Sequence, residues 1–166
     1  MPDPAIRLFP DPILRLKAAE VDLFDRALEK TVGMMRRIME SQPSGIGIAA
    51  PQIGISKQIA LVDVSKREPR AQLLIMVNPV ILEVAEERAS REGCMSLPDY
   101  TAPLKRFNRV LVRWQGLRGE YYEKAVAGIE AVCIQHEIDH LKGLLFFDRV
   151  TSLKRDMIPR REGRLQ

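Results

Sequence analysis

Residues 128–143 constrain the fold most, because this segment is apolar on nearly every face and yet carries both histidines of the chain. Its apolar residues recur at three- and four-residue steps, which predicts an α-helix. Gly128 lies near the expected start, and Gly143 stands where a left-handed C-terminal cap belongs. A helix without a polar face is expected in the protein interior, so the rest of the chain should pack around it.

The two histidines, His136 and His140, are four residues apart, with Glu137 directly after the first. Four residues of helix rise about 6 Å, so both imidazoles can reach one small ion. A glutamate between two such ligands is typical of hydrolases that activate a metal-bound water. The alternative interpretation is that two core or surface histidines fell at this spacing by chance.

A catalytic metal site of this kind usually needs a third protein ligand. The chain has no further histidine and only two cysteines, Cys94 and Cys133. Cys133 precedes His140 by seven residues, about 10 Å along a helix axis, which is too far for easy sharing of the ion. Cys94 is therefore the better candidate. An inert buried cysteine is the alternative, as is a Cys94–Cys133 disulfide, although no secretion signal supports the disulfide.

Residues 45–52 form a glycine-rich segment whose first six residues mimic a dinucleotide-binding fingerprint. That fingerprint requires a strand before it and a helix after it, and Pro51 would obstruct a helix that began inside the segment. We therefore interpret the segment as a loop whose backbone approaches another element closely, with Gln52 offering a carboxamide donor. An ordinary turn with a surface glutamine is the alternative.

Together these segments closely resemble the peptide deformylase family. That family carries a glycine-rich motif ending in glutamine, an E-G-C motif and a Q-H-E-x-x-H motif in this order, matched here by residues 45–52, 92–96 and 135–140. The opening residues 10–15 are similar as well, so the resemblance covers nearly the whole chain. It implies a hydrolase that removes the formyl group from the N-terminal formyl-methionine of newly made polypeptides.

The resemblance also implies a role for each motif residue. The metal ligands would be Cys94, His136 and His140. Glu137 would act as general base and acid, and the oxyanion donors would be Gln52 and the backbone N–H of Met95. The cofactor would be one divalent ion, with Fe(II) implied by the family, while ligand chemistry alone leaves Zn(II) open.

Apolar residues beside these groups are expected to receive the methionine side chain, because a flexible thioether suits an apolar wall. The predicted substrate-binding residues are Ile46, Gly47, Ile129, Val132 and Cys133. The chain departs from the usual family pattern at four positions. Met95 lies in the E-G-C motif, Glu130 lies on the histidine helix, and Ser90 and Arg91 precede the E-G-C motif.

Strand patterns occupy the middle of the chain and helices its two ends. This order predicts the α+β class: a single domain over residues 1–166, with antiparallel or mixed β-sheets packed around the central histidine helix. Another helix is expected over residues 22–41, capped by Asp22. The predicted strands cover residues 58–64, 73–77, 80–87, 109–114 and 121–125.

Composition, with 46% hydrophobic and 29% charged residues, is that of a compact intracellular enzyme. No secretory segment or membrane span is recognisable, so a cytoplasmic protein without a membrane partner is expected. A net charge of +4 is too small to indicate nucleic-acid binding, and no DNA partner is expected. Residues 151–166 predict a solvated basic tail, with weak ribosome contact as the alternative. Its basic residues are Lys154, Arg155, Arg160, Arg161 and Arg164.

Two functions of other classes remain as alternatives. A metalloendopeptidase is one, because the same helix motif serves many proteases. Cys94 and the glycine-rich segment favour a deformylase over it. The other is a catalytically silent, metal-stabilised binding protein, against which Glu137 and Gln52 argue, since a structural metal site needs neither.

Overall fold

A computed structural model describes residues 5–160 of the chain. Its α-helices are α1 (Arg26–Ser41), α2 (Gly128–Leu141) and the single turn α3 (Leu153–Asp156). Its strands are β1 (Gly47–Ala49), β2 (Ile59–Val62), β3 (Leu74–Cys94), β4 (Leu97–Gln115), β5 (Tyr121–Ala127) and β6 (Ile158–Pro159). Short 3-10 helices occupy Pro12–Arg15, Ala50–Ile53 and Phe146–Arg149.

All the strands pair antiparallel in one sheet, in the order β1-β2-β3-β4-β5, and β6 pairs with the start of β4 on the edge away from β3. The sheet lies between the two long helices. Alternate residues of a strand point to opposite faces, so one strand can contribute to the core on each side. In β2, Ala60 and Val62 belong to the core around α2, whereas Ile59 and Leu61 belong to the core around α1. The predicted α+β architecture with a central histidine helix is confirmed.

Helix α2 has the ends that its glycines predict. Gly128 has a φ of +64° and Gly143 a φ of +75°, a left-handed conformation that glycine adopts without a steric penalty. Nearly every residue between them is buried. The helix predicted to lie in the protein interior is therefore found there.

The N-terminal helix ends at Ser41 as predicted but begins later than expected. Its cap is Asp25, whose Oδ1 accepts hydrogen bonds from the backbone N–H groups of Ala27 at 2.9 Å and Leu28 at 3.0 Å. The prediction of Asp22 as the cap is wrong. Both residues are aspartates that can cap, and only Asp25 has free helical N–H groups within reach of its side chain.

Strands β3 and β4 form one long hairpin, which the sequence predicted only as shorter pieces. The predicted break after residue 77 is a bulge within β3, where Asn78 adopts a φ of +50° and the register shifts between Val77 and Val80. The first half of β4 was not predicted, because Pro103 is unfavourable inside a strand. Residues 102–108 of β4 pair with β3 on one side only, and a proline can stand where no partner needs its N–H.

The chain after residue 150 is mostly exposed as far as it is described, and its last described residues also pair with the sheet. Ile158 and Pro159 pair with Thr101 and Tyr100 of β4, and the Arg160 N–H donates to the Asp99 carbonyl at 2.7 Å. Arg161 and Arg164, which the prediction also included, lie outside the described residues. Within residues 5–160, no helix combines the length and the apolar character needed to cross a membrane.

Candidate metal centre and active site

Three side chains from two elements converge beside the buried face of α2. His136 and His140 come from the helix, and Cys94 is the last residue of β3. One ligand atom from each lies within 4.8 Å of the others, and Cys94 Sγ is 3.2 Å from Nε2 of His140. Ligands bound tetrahedrally at about 2.0–2.3 Å from one ion are about 3–4 Å apart, so this group could hold a single divalent metal once its wider separations, of up to 4.8 Å, contract slightly.

The position of Cys94 follows from the turn that ends β3. Cys94 pairs with Leu97, so Met95 and Ser96 form a two-residue hairpin turn, and the Ser96 N–H approaches Cys94 Sγ at 3.4 Å. Burial opposes ionisation of the thiol, but the charge of His140 and hydrogen bonds from both imidazoles outweigh it and lower the pKa of Cys94 well below its ordinary value. The thiolate is the form that binds a metal.

His136 is oriented by a carboxylate on the strand beside it. Its Nδ1 lies 2.8 Å from Oε2 of Glu92, which leaves Nε2 for an ion. Glu92 accepts two hydrogen bonds from Arg106, at 2.8 Å from Nε and 2.9 Å from an Nη atom. Burial would raise the pKa of Glu92, but Arg106 and His136 outweigh burial and lower that pKa to about 2. Glu92 therefore stays ionised and keeps the imidazole in place.

Arg106 links this carboxylate to the helix that carries the histidines. It donates to Asp139 at 2.6 Å, and Arg149 makes two further hydrogen bonds with Asp139, at 2.6 and 3.0 Å. We call Glu92, Arg106, Asp139 and Arg149 the buried charge network. Sequence reasoning missed it. The available signal was Asp139, a carboxylate on a helix expected in the interior, which needs a buried cation opposite.

Glu137 is a buried acid of a different kind. Its side chain faces the cleft described below, and its Oε2 has no hydrogen-bond partner among the described residues. Burial raises its pKa to about 7, although the two imidazoles lower it in part. A carboxyl group with a pKa near neutrality can both accept and release a proton at physiological pH.

Gly47 leaves the space that this carboxylate needs. A Cβ at residue 47 would collide with the Glu137 carboxylate and lie 2.7 Å from Sγ of Cys133. The glycine-rich segment therefore does approach another element closely, as predicted. It contains a short strand, β1, that the sequence did not predict.

Gln52 follows that strand and is 1% exposed. Its Oε1 accepts from the Ala49 N–H at 2.9 Å, so its Nε2 points toward Ser96 Oγ at 3.2 Å and Cys94 Sγ at 3.5 Å. Pro51 begins no α-helix and stands instead near the start of the Ala50–Ile53 3-10 helix. The carboxamide donor is thus held at the metal ligands and does not lie on the surface.

A cleft of about 380 Å³ opens beside the ligands. Gln52, Met95 and Glu137 line it, together with the five residues predicted to bind the substrate: Ile46, Gly47, Ile129, Val132 and Cys133. Ser90 and Arg91 also reach it, whereas Glu130 lies outside it and pairs with Lys124 at 3.1 Å. Cys133 is not one of the clustered ligand residues, and both cysteines are free.

Comparison with known proteins identifies the family. A sequence model of the polypeptide deformylase family matches residues 4–156. A peptide deformylase of Syntrophobacter fumaroxidans is 42% identical over 153 residues, which cover 92% of this chain and 89% of that protein. The family resemblance seen in the three motifs thus extends along most of the chain.

Solved structures agree with the sequence matches. A peptide deformylase from Thermotoga maritima superposes with a TM-score of 0.84 at 38% identity, covering 92% of this chain and all of that one. A class I type b peptide deformylase from Acinetobacter baumannii, bound to Met-Ala-Ser, gives 0.82 at 35% identity and covers 89% of this chain and 98% of its own. Motif order, overall fold and the clustered ligand residues lead to one conclusion: the chain belongs to the polypeptide deformylase family.

Proposed function

We propose that this protein is a metal-dependent hydrolase that removes the formyl group from the N-terminal formyl-methionine of newly made polypeptides. The observation that carries this proposal is the placement of Glu137, whose Oε2 has no partner among the described residues, beside a Cys-His-His group at the base of a cleft with an apolar wall. The comparisons do not favour the two alternatives, a metalloendopeptidase and a catalytically silent binding protein.

Cys94, His136 and His140 would hold the ion. When bound, a divalent ion supplies Lewis acidity and lowers the pKa of water toward ~7. Glu137 accepts the proton of the attacking water and then delivers it to the amine that leaves. Its raised pKa suits both steps, because a general acid–base group works best when its pKa lies near the operating pH.

Gln52 and the backbone N–H of Met95 are the proposed oxyanion donors. The Ala49 N–H fixes the Gln52 carboxamide, so that its amide hydrogens are directed at the ligand cluster without reorganisation. One such preorganised donor contributes on the order of a hundred-fold or more in rate. Together the two donors would stabilise the negative charge that develops on the formyl oxygen.

The methionine side chain would occupy the apolar wall formed by Ile46, Gly47, Ile129, Val132 and Cys133. An apolar analogue of similar size should lose little, because one methylene in an apolar pocket is worth about 1–3 kcal/mol. A charged first residue should react far more slowly. Comparing kcat/KM for formyl-Met, formyl-norleucine and formyl-Asp peptides with one common tail tests this; equal values for Met and Asp would contradict it.

Ferrous iron is the proposed ion, with zinc as the alternative. Thiolate ligation of Fe(II) should make activity fall in air, with Cys94 open to oxidation. Protein loaded anaerobically with Fe(II) should turn over faster than the Zn(II) form. A zinc enzyme of equal turnover that is indifferent to oxygen would refute iron and leave the rest of the proposal standing.

The proposed partners are the N-termini of nascent polypeptides, which places the activity in the cytoplasm. Weak contact with the ribosome is a further proposal, supported only by exposed basic residues such as Lys154 and Arg155. The decisive assay measures release of formate from formyl-Met-Ala-Ser beside cleavage of casein. Casein cleavage without formate release would favour the endopeptidase.

A further inference from the structure

The rim of the cleft is basic. Arg67 lies in the segment after β2 and lines the cleft. Arg91 of β3 and Arg160 after β6 line it as well. All three are exposed, so a polypeptide attached to a methionine in the cleft can meet their charges where it reaches solvent. We call them the rim arginines.

These charges are not used within the described part of the protein. Arg91 donates only to the neutral Thr101 hydroxyl, from two nitrogens at 3.2 Å each. The side chains of Arg67 and Arg160 have no hydrogen-bond or ion-pair partner among residues 5–160. The acids that line the cleft within those residues are Glu92 and Glu137, and both are buried at its base.

Local backbone structure holds one of these arginines at the rim. Arg160 is anchored through its N–H to Asp99, directly after the pairing of β6 with β4. Its guanidinium lies over Gly93, where any Cβ would collide with it. The glycine between Glu92 and Cys94 thus makes room for a cation beside the ligand group.

We propose that the rim arginines select substrates by charge, favouring formyl-methionine polypeptides that carry a carboxylate side chain in the residues just after the methionine. The inference rests on the proposed function and adds a substrate preference to it. Guanidinium groups at the rim attract a carboxylate wherever the chain passes near them, and they repel lysine. The preference is modest, because exposed ion pairs are weak and screened by salt.

The test uses the holoenzyme and peptides with amidated C-termini. Formyl-Met peptides carry Asp, Asn or Lys at residue two, three or four, one substitution at a time. At low salt, kcat/KM for Asp should exceed that for Asn by about three- to tenfold at one position or more, mainly through KM. Lys should fall below Asn, and about 0.5 M salt should bring the three together.

Variants connect the preference to the rim arginines. In Arg67→Gln/Arg91→Gln/Arg160→Gln the Asp-to-Asn ratio should fall close to one. Arg88→Gln is the matched control. Arg88 is an exposed arginine of β3, like Arg91, but it donates a hydrogen bond to Asn108 and does not line the cleft. Its ratio should equal that of the wild type. An Asp-to-Asn ratio near one in the wild type, or one that survives the triple substitution, overturns the proposal.

A binding experiment separates this inference from the proposed function. Dissociation constants of the amidated products Met-Ala-Asp and Met-Ala-Asn, measured by calorimetry, should show the same ratio whether or not the formyl peptides are hydrolysed. Met-Ala-Asn with a free C-terminus distinguishes a terminal carboxylate from a side chain. Tighter binding through the terminus alone, with no gain from Asp, overturns the proposal, whereas failure to release formate from any peptide overturns only the proposed function.

Discussion

Two neighbouring cations of β4, Arg106 and Lys105, illustrate two uses of charge in one strand. The Arg106 side chain is 3% exposed and lies between Glu92 and Asp139, which are each 6% exposed. Lys105 points to the other face and meets Glu87 at 3.3 Å, with exposures of 77% and 59%. Buried ions must be paired because their desolvation costs several kcal/mol each, whereas exposed pairs contribute little.

The comparison shows that charges inside this protein are few and assigned to definite roles. Glu92, Arg106 and Asp139 join the strand that ends at Cys94 to the helix that carries the two histidines, and Glu137 Oε2 has no partner within residues 5–160. The outer charges of the hairpin lie in solvent. Their pair, Lys105 with Glu87, contributes little to stability because water screens it.

Glu137→Gln should sharpen the contrast most strongly, because it changes a buried acid outside the network whose Oε2 has no hydrogen-bond partner among the described residues. We expect kcat for formyl-Met-Ala-Ser to fall by about 10²–10⁴, the usual contribution of a general acid–base group. Metal content and unfolding temperature should not fall, since the amide has nearly the same shape and Oε2 has no partner to lose. A variant with wild-type kcat at saturating substrate would show that Glu137 moves no proton.

Arg106→Met tests the network itself. The substitution leaves Glu92 and Asp139 buried beside a neutral side chain, and breaking a buried pair in this way typically costs about 3–5 kcal/mol. The free energy of unfolding, from urea titration of the metal-loaded protein, should drop by that amount. A loss below about 1 kcal/mol would mean that water or a relaxed backbone stabilises the two carboxylates, and the contrast with the outer face would disappear.

Glu92→Gln examines how the network acts on the metal centre. The amide can still accept from His136, but without charge it holds the imidazole less firmly. Partners of this kind typically change metal affinity by about 10- to 100-fold. Competition with a chelator for Zn(II) should show a weaker site than in the wild type. Unchanged affinity would restrict Glu92 to a role in packing.

Lys105→Met is the smallest change and the matched control for Arg106→Met. It removes the adjacent cation and its exposed pair with Glu87, for which we expect less than about 1 kcal/mol in the same urea titration. Loss of several kcal/mol here would show that burial does not separate the two faces of β4 energetically.

The histidine pair and the central helix could be predicted because their signals are local. His136 and His140 lie one helical turn apart, and the glycines at either end mark the limits of α2. The family motifs contributed Cys94 and Gln52, which are far from the histidines in sequence. The cap of α1 was harder to predict, because Asp22 and Asp25 have similar local sequence. The length of β4 was harder as well, because Pro103 is unusual in a strand unless one edge of that strand is unpaired.

What the sequence alone determined, then, is the chemistry of the centre: which side chains can bind an ion, and which helix presents two of them. The tertiary structure decided the partners of those side chains. Glu92 meets Arg106 only because β3 and β4 pair in one register, and Arg106 meets Asp139 only because α2 packs on that hairpin. Ligand spacing along a helix is set by covalent geometry, whereas a contact between distant segments depends on strand register and packing across the whole fold.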